Sequence, residues 1–346
     1  MNFELPGEDT IVEGLRTLDC TIFCYNDVQK FLTENIQNKK VSDRFISWLV
    51  VLRILHQRRQ SWGTHLYQMV DNYYDRCKQH FSKKPQDPLG TIPLNFESLI
   101  RPDIEGGIAW FEQITKELGV SKKFINAPIL RLSRIYALLV HEAQEVSYTQ
   151  NLYHFGCVCF GMAATFAEKA HLPVDFAEAV AFYLTRALIS IIPLLRIMNN
   201  NQKLISHFEE VDQVIRSVAP EQYKAIKANG CTSMNFGVRY EVLLFARENH
   251  HAVDLLNIWD QILGRLPQLE FIKCLTAAHI KQIKIPPDAK NVDEIIKSWK
   301  NWNTTKIIKN AIEIMDHKRS CGESFCLFFC PKLPSFAGYE VKPQYF

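Results

Sequence analysis

NFGVRYEVLLFARENHHAVDLLNIWDQILGRLPQLEFIKCLTAAHIKQ, residues 235–282, decides the fold. It reads as an apolar helix, a short polar break, an L-L-N-I-W-D helix and a final apolar helix, over 235–249, 251–264 and 267–282. The same helical recurrence of apolar residues extends along most of the chain. It predicts further helices over 26–37, 42–60, 62–82, 107–118, 126–143, 151–170, 175–198, 200–217, 218–227, 291–299 and 303–317. Clean period-two alternation bounded by turn residues is hard to find, so the expected class is all-α. KKPQDPLGTIPLN (83–95), GVSKKF (119–124) and KANGCTSM (227–234) punctuate the helices as loops. No repeat of solenoid length is visible, although so many helices leave an α-solenoid as the alternative architecture.

Bulk properties narrow the class of function. The 346 residues are 47% hydrophobic and 22% charged with a net charge of +3, the composition of an ordinary globular protein. Basic residues are scattered rather than gathered in a block, which argues against a nucleic-acid partner. The start, MNFELPGEDT, lacks the basic and apolar regions of a secretory signal, so the ten cysteines are expected reduced and intracellular. The most apolar stretch, FAEAVAFYLTRALISIIPLLRIM (176–198), carries Glu178, Arg186, Pro193 and Arg196 and reads as a buried helix rather than a membrane span. After residue 317 the sequence turns to Cys, Phe and Pro without helical period, an irregular tail expected to dock on apolar surface.

Enzymatic signatures are sparse. No Walker loop, dinucleotide fingerprint, G-x-S-x-G elbow or His-Glu-x-x-His occurs. His317, Cys321, Cys326 and Cys330 have ligand-like intervals without paired Cys-x-x-Cys knuckles, leaving zinc, apolar thiols and disulfide chemistry as readings. Cys157 and Cys159 flank one residue of a predicted helix, point to different faces, and are assigned to the core.

The opening stretch resembles the C-terminal half of the TBC domain, the all-helical fold of Rab GTPase-activating proteins, in Leu244, Phe245, Arg247, Glu248, Leu255, Trp259 and Asp260. Upstream, EVSYTQNLYHF resembles that family's V-G-Y-x-Q-G-M segment: Val146, Tyr148 and Gln150 match, while Ser147 and Asn151 replace glycines and Leu152 a Met. LIRPDIEGG resembles the I-x-x-D-x-x-R motif with Ile100 and Asp103 in register and Gly106 at the arginine position. Residues 42–81 share the Trp, Leu and Tyr texture of the family's first helices. The resemblance implies a TBC-like multi-helical domain over 42–285, preceded by an extension (1–41) and followed by C-terminal helices (286–317) and the irregular tail (318–346).

The mechanism that the resemblance implies is acceleration of GTP hydrolysis on a bound Rab, with an arginine stabilising phosphoryl charge and a glutamine orienting water. No cofactor of the chain's own is implied, because GTP and magnesium belong to the partner. An arginine of this kind is worth about 10³–10⁵ in rate, or about 4–7 kcal/mol. Gly106 supplies no such group, so activity is expected to be weakened or lost, unless Arg101 or Arg131 substitutes; APILRLSR mimics the motif's spacing from Ile125 to Arg131, with Pro128 in place of the acid. Gln150 is either the water-orienting amide or a solvent-facing or helix-capping one. Asp103 is read as an anchor for its loop, Trp259 and Asp260 as architectural, and Arg53, Arg58 and Arg59 as a solvated face or part of a partner surface. Two functions follow: a regulator that binds a Rab-family small GTPase, or a non-catalytic subunit or adaptor of a larger assembly, in the cytoplasm or at an organelle surface.

Overall fold

A computed structural model describes residues 3–17, 25–34, 39–56, 59–142, 149–249, 251–286 and 289–320. Among these residues there are sixteen α-helices and no strand. In chain order they are α1 (Glu8–Thr17), α2 (Tyr25–Thr33), α3 (Val41–Val51), α4 (Trp62–Phe81), α5 (Leu94–Glu117), α6 (Pro128–Glu142), α7 (Tyr153–Lys169) and α8 (Val174–Ile191). There follow α9 (Pro193–Ile197), α10 (Asn201–Val218), α11 (Pro220–Ala228), α12 (Met234–Val242), α13 (Ala252–Leu263), α14 (Phe271–Gln282), α15 (Val292–Ser298) and α16 (Thr304–Ser320). No helix among the described residues is long and apolar enough to cross a membrane.

The middle of the protein is the α7–α8 pair. Every residue from His154 to Ala167 is buried, as is every residue from Asp175 to Thr185, which is the pattern of helices enclosed on all sides. Helix α7 packs against α8, α5 and α3, and one apolar core runs from Ile11 to Met315.

The expected 175–198 helix divides before Pro193 into α8 and α9, α2 ends at Thr33 rather than 37, and α1 lies outside the expected helices. Three further helices differ from their sequence-based bounds, and each for a tertiary reason. Helix α5 begins at Leu94 rather than 107 and passes through Pro102, Gly106 and Gly107. Those residues oppose a helix by about 3 kcal/mol for the proline and about 1 for each glycine. Burial of Ile100, Ile104, Phe111 and Ile114 contributes about 1.5–3 kcal/mol each and wins. Pro102 is exposed, so its missing N–H falls on the solvated side. Helix α3 stops at Val51 rather than 60: Arg53 takes a left-handed φ of 58°, while Ile54 and Leu55 fold back with their N–H groups on the Leu49 carbonyl. Helix α12 stops at Val242 rather than 249, because Leu244 and Phe245 adopt φ of 44° and 64° and turn the chain inward.

That inward turn is fastened by α13 and α14. The Trp259 indole donates to the Leu244 carbonyl at 2.8 Å, and Phe245 stacks on His279 with centroids 4.5 Å apart. Burial lowers the His279 imidazole to about 4, so it stays neutral in the folded protein. An unfolded histidine takes its proton near pH 6.5. Above that pH both states hold neutral imidazole; between 6.5 and 4 only the unfolded chain is protonated, so stability falls as pH falls, by about 1.4 kcal/mol per unit. His279→Gln is expected to flatten this limb of the stability–pH profile in denaturant titrations.

Asp260, the last letter of the W-D pair, is completely buried. Its carboxylate accepts from Arg44 Nε at 2.8 Å, from Trp48 Nε1 at 2.8 Å and from Lys39 Nζ at 3.2 Å. Arg44 also donates to Asn257 at 2.5 Å, so a single cluster joins the start of α3 to α13. A second buried cluster lies along α8: Glu178 binds Arg131 and Arg134 at 2.6 Å each and accepts from the Tyr73 hydroxyl at 2.9 Å. Asp175 in the same cluster accepts from the backbone N–H of Glu4 at 2.7 Å, while Phe3 lies against Tyr74 and under Arg134, which brings the described N-terminal residues onto the core. Removing one partner of a buried charge pair leaves the other uncompensated, at about 3–5 kcal/mol. Arg44→Met is expected to lose that much unfolding free energy in urea; a loss below about 1 kcal/mol would show Lys39 sufficient alone.

Candidate functional site

The site is built where α5 meets the turn that leads into α7. On α5, Ile100, Asp103, Ile104 and Gly107 form the inward face, and Gly106 falls on the outward one. Asp103 is buried, and its Oδ2 accepts the backbone N–H of Asn151. One side chain thereby ties α5 to the turn carrying Gln150. The Asn151 carbonyl receives the His154 Nδ1–H at 2.7 Å, and the Leu152 carbonyl receives the Tyr136 hydroxyl at 2.6 Å. The turn is therefore fixed from three helices.

Asn151 holds a left-handed φ of 73°. Asparagine reaches this region at lower cost than other side chains, and glycine at essentially none. The glycine expected at this position from the family resemblance thus answers a backbone requirement that Asn151 meets.

Gln150 is exposed, and among the described residues no hydrogen bond holds its amide. The N-cap residue of α7 is Leu152, with no side-chain cap. The capping alternative for Gln150 is therefore not the arrangement present, and the amide stands in solvent beside a rigid backbone. Tyr148 lies outside the described residues.

The two glycines of α5 do different things. A Cβ at Gly107 would sit 2.0 Å from the Tyr153 ring, so this residue must be glycine for α7 to approach. Among the described residues a Cβ at Gly106 would meet nothing within 4 Å, so the arginine position of the motif is not packed against any of them. Tyr153 in turn makes a tilted contact with His154, and Trp110 edges onto both rings, an aromatic rim that the sequence reading did not single out. Its one signal in the sequence was the second glycine, which marks a close approach. Burial raises the Tyr153 phenol to about 12; the charges of Cys157 and Asp103 raise it too, and that of Arg247 opposes them.

This arrangement of helices has a counterpart among solved proteins. The structure is similar to the crystal structure of the Ypt/Rab-GAP domain of Gyp1p, with a TM-score of 0.60 and 14% identity, covering 91% of this chain and 100% of that one. The fold is TBC-like. At 14% identity the likeness is one of fold. No protein-family model matches the chain, and no curated protein does.

Within the TBC-like fold neither of the two arginines considered as substitutes is free for a partner. Arg131 is buried and spends its guanidinium on Asp175, Glu178 and Asn126. Withdrawing it would leave buried Asp175 without its arginine and Glu178 with Arg134 alone, which rules it out as a group offered to a ligand. Arg101 binds Asp87 and Glu97 at 2.7 Å each, and that bond holds the Asp87 carboxyl below its usual range. Five residues from Gly106, it also projects from a different side of α5. Arg53 is exposed, Arg59 lies in a short 3-10 turn (Arg59–Ser61), and Arg58 lies outside the described residues.

The other chemistry-bearing groups fall away from this face. Cys157 and Cys159 are fully buried in α7, and burial raises both thiols, Cys159 to about 12. Among the described residues no three His, Cys, Asp or Glu side chains form a metal cluster. His317 is exposed on α16; Cys321, Cys326, Cys330 and the tail 321–346 lie outside the described residues.

The left-handed turn gives a direct check. Asn151→Gly is expected to leave stability unchanged or slightly raised, whereas Asn151→Val is expected to cost about 1–2 kcal/mol by thermal unfolding.

Proposed function

We propose that the chain binds a Rab-family small GTPase on the face where Gln150 and Gly106 stand, and that its stimulation of GTP hydrolysis is weak. The observation that carries this reading is the mounting of Gln150: an exposed amide on a turn fixed by Asp103, His154 and Tyr136. A surface glutamine without a task gains nothing from such fixing. A glutamine that must orient a water molecule in a partner's site gains a great deal, because misplacement by about 1 Å can cost about a hundredfold in rate. The likeness to a Ypt/Rab-GAP domain supplies the class of partner.

On this reading the chain needs no cofactor, since the GTPase brings its nucleotide and magnesium and the partner surface adds only positioning and charge. Weakness follows from Gly106, which offers the phosphates no cation. The surroundings of that position also make the deficiency repairable. Arginine is a better helix former than glycine by about 0.8–1 kcal/mol, and a Cβ at this position meets no described atom within 4 Å.

The test is binding of the full chain to purified Rab-family GTPases loaded with a non-hydrolysable GTP analogue or with GDP, followed by single-turnover hydrolysis of GTP. A preference for the GTP-like form by at least one GTPase is expected. Gln150→Ala should lower the stimulated rate while Gly106→Arg raises it, by about tenfold or more. Absence of binding across the panel would sink the reading.

A further inference from the structure

The geometry points to Arg247 as the residue that supplies a guanidinium to the partner's phosphates in place of the one missing at position 106. This rests on the reading that a GTPase occupies the Gln150 face.

Three observations lead to it. In the loop Leu243–Asn249 every residue is buried except Arg247. The loop is rigid: its Leu244 carbonyl is held by the Trp259 indole, Phe245 stacks on His279, and Glu248 pairs with Arg239 at 2.8 Å. Six residues are therefore spent inward to present one cation outward. A solvated surface arginine needs no such mounting, whereas a group that must meet a transition state does.

The second observation is placement. The chain just after the loop is tied to α5, because the backbone N–H of Ala252 donates to Glu117 at 2.6 Å. Trp259, which fastens the loop, also stacks on Phe155 near the start of α7 with centroids 5.2 Å apart. The loop thus lies against the start of α7, while its tie to α5 is at that helix's far end, Glu117. Arg247 and Asp103 act electrostatically on the same Tyr153 hydroxyl, and the Tyr153 ring lies on Gly107, next to Gly106. Third, Arg101 and Arg131 are committed elsewhere, as described above, which leaves Arg247 as the arginine among those considered that is exposed beside this face.

The step served is hydrolysis on the partner. The oxygen of a water bonds to the γ-phosphorus, and the bond from that phosphorus to the bridging oxygen breaks with its electron pair left on GDP. Both water hydrogens end on the released dihydrogen phosphate. Charge spread over the γ-phosphoryl oxygens and the bridging oxygen is what a planar, permanently charged guanidinium stabilises. Lysine, a point charge, would replace it only in part.

Arg247→Ala, Arg247→Lys, Gly106→Arg and the double variant R247A/G106R are compared with the unaltered chain. Each is mixed with purified Rab-family GTPases, loaded with GTP for single-turnover rates, with a non-hydrolysable analogue for affinity, and with GDP and aluminium fluoride for transition-state complex formation. The expected result is loss of about tenfold or more of the stimulated rate in Arg247→Ala, with affinity for the analogue-bound form nearly unchanged. The aluminium fluoride complex should weaken in parallel, Arg247→Lys should lie between, and Gly106→Arg should restore the rate to R247A. That rescue is not expected of an arginine that only contacts the partner or supports the fold.

Three results would overturn the assignment: R247A stimulating like the unaltered chain; rate and affinity lost in equal measure without rescue; or an unaltered chain that binds a GTPase but leaves hydrolysis at its intrinsic rate. The last removes Arg247 from catalysis and leaves the binding reading standing. Failure to bind any GTPase removes both.

Discussion

The structure depends on one buried carboxylate. Asp260 has no access to water, and a charge in that position is tolerable only because Arg44, Lys39 and the Trp48 indole surround it. Burial lowers the affinity of Lys39 for its proton, and Asp260 is what opposes that effect. The cluster fixes α13 against α3, and α13 in turn carries Trp259, whose indole holds the Leu244 carbonyl and whose ring lies on Phe155 at the head of α7. Both the loop bearing Arg247 and the helix following Gln150 are thus referred to the same point.

The α8 cluster plays a parallel part on the other side of α7. Glu178 gathers Arg131, Arg134 and Tyr73 from α6 and α4, and so positions Tyr136, whose hydroxyl fixes the Leu152 carbonyl. The candidate site is consequently rigid without containing a packed catalytic residue. Its exposed members, Gln150, Gly106 and Arg247, stand on backbone immobilised by buried neighbours. This division of labour suits a surface whose chemistry is completed by another protein, since what it contributes is position.

The sequence disclosed the fold where apolar period and local preference agreed. The 251–264 and 267–282 segments are strongly periodic and were placed within a few residues of α13 and α14. It misled where tertiary burial overrode local preference. Pro102 and two glycines disguised the first half of α5, and the inward turn at Leu244 and Phe245 could not be seen because neither residue favours a positive φ. In the site, Asp103 and Gln150 were legible as positions, but what joins them is a backbone N–H, which no pattern of side chains encodes. Arg131 had the right spacing to tempt a functional reading; only its partners Asp175 and Glu178, more than forty residues away in sequence, show it committed. Arg247 carries no such signal in the sequence, since its neighbours' burial is what makes its exposure informative.

The long spans of these contacts have a consequence for how the chain is made. Arg44 and Asp260 are 216 residues apart, and the backbone N–H of Glu4 waits 171 residues for Asp175. A nascent chain emerging from the ribosome at about 5–20 residues per second therefore carries its first helices for many seconds before their counter-charges exist. Until Asp260 has been synthesised, Arg44 on α3 lacks the carboxylate it is buried against. The contact that fixes α3 to α13 therefore belongs to the last stages of chain closure, when the helix that carries Trp259 is present.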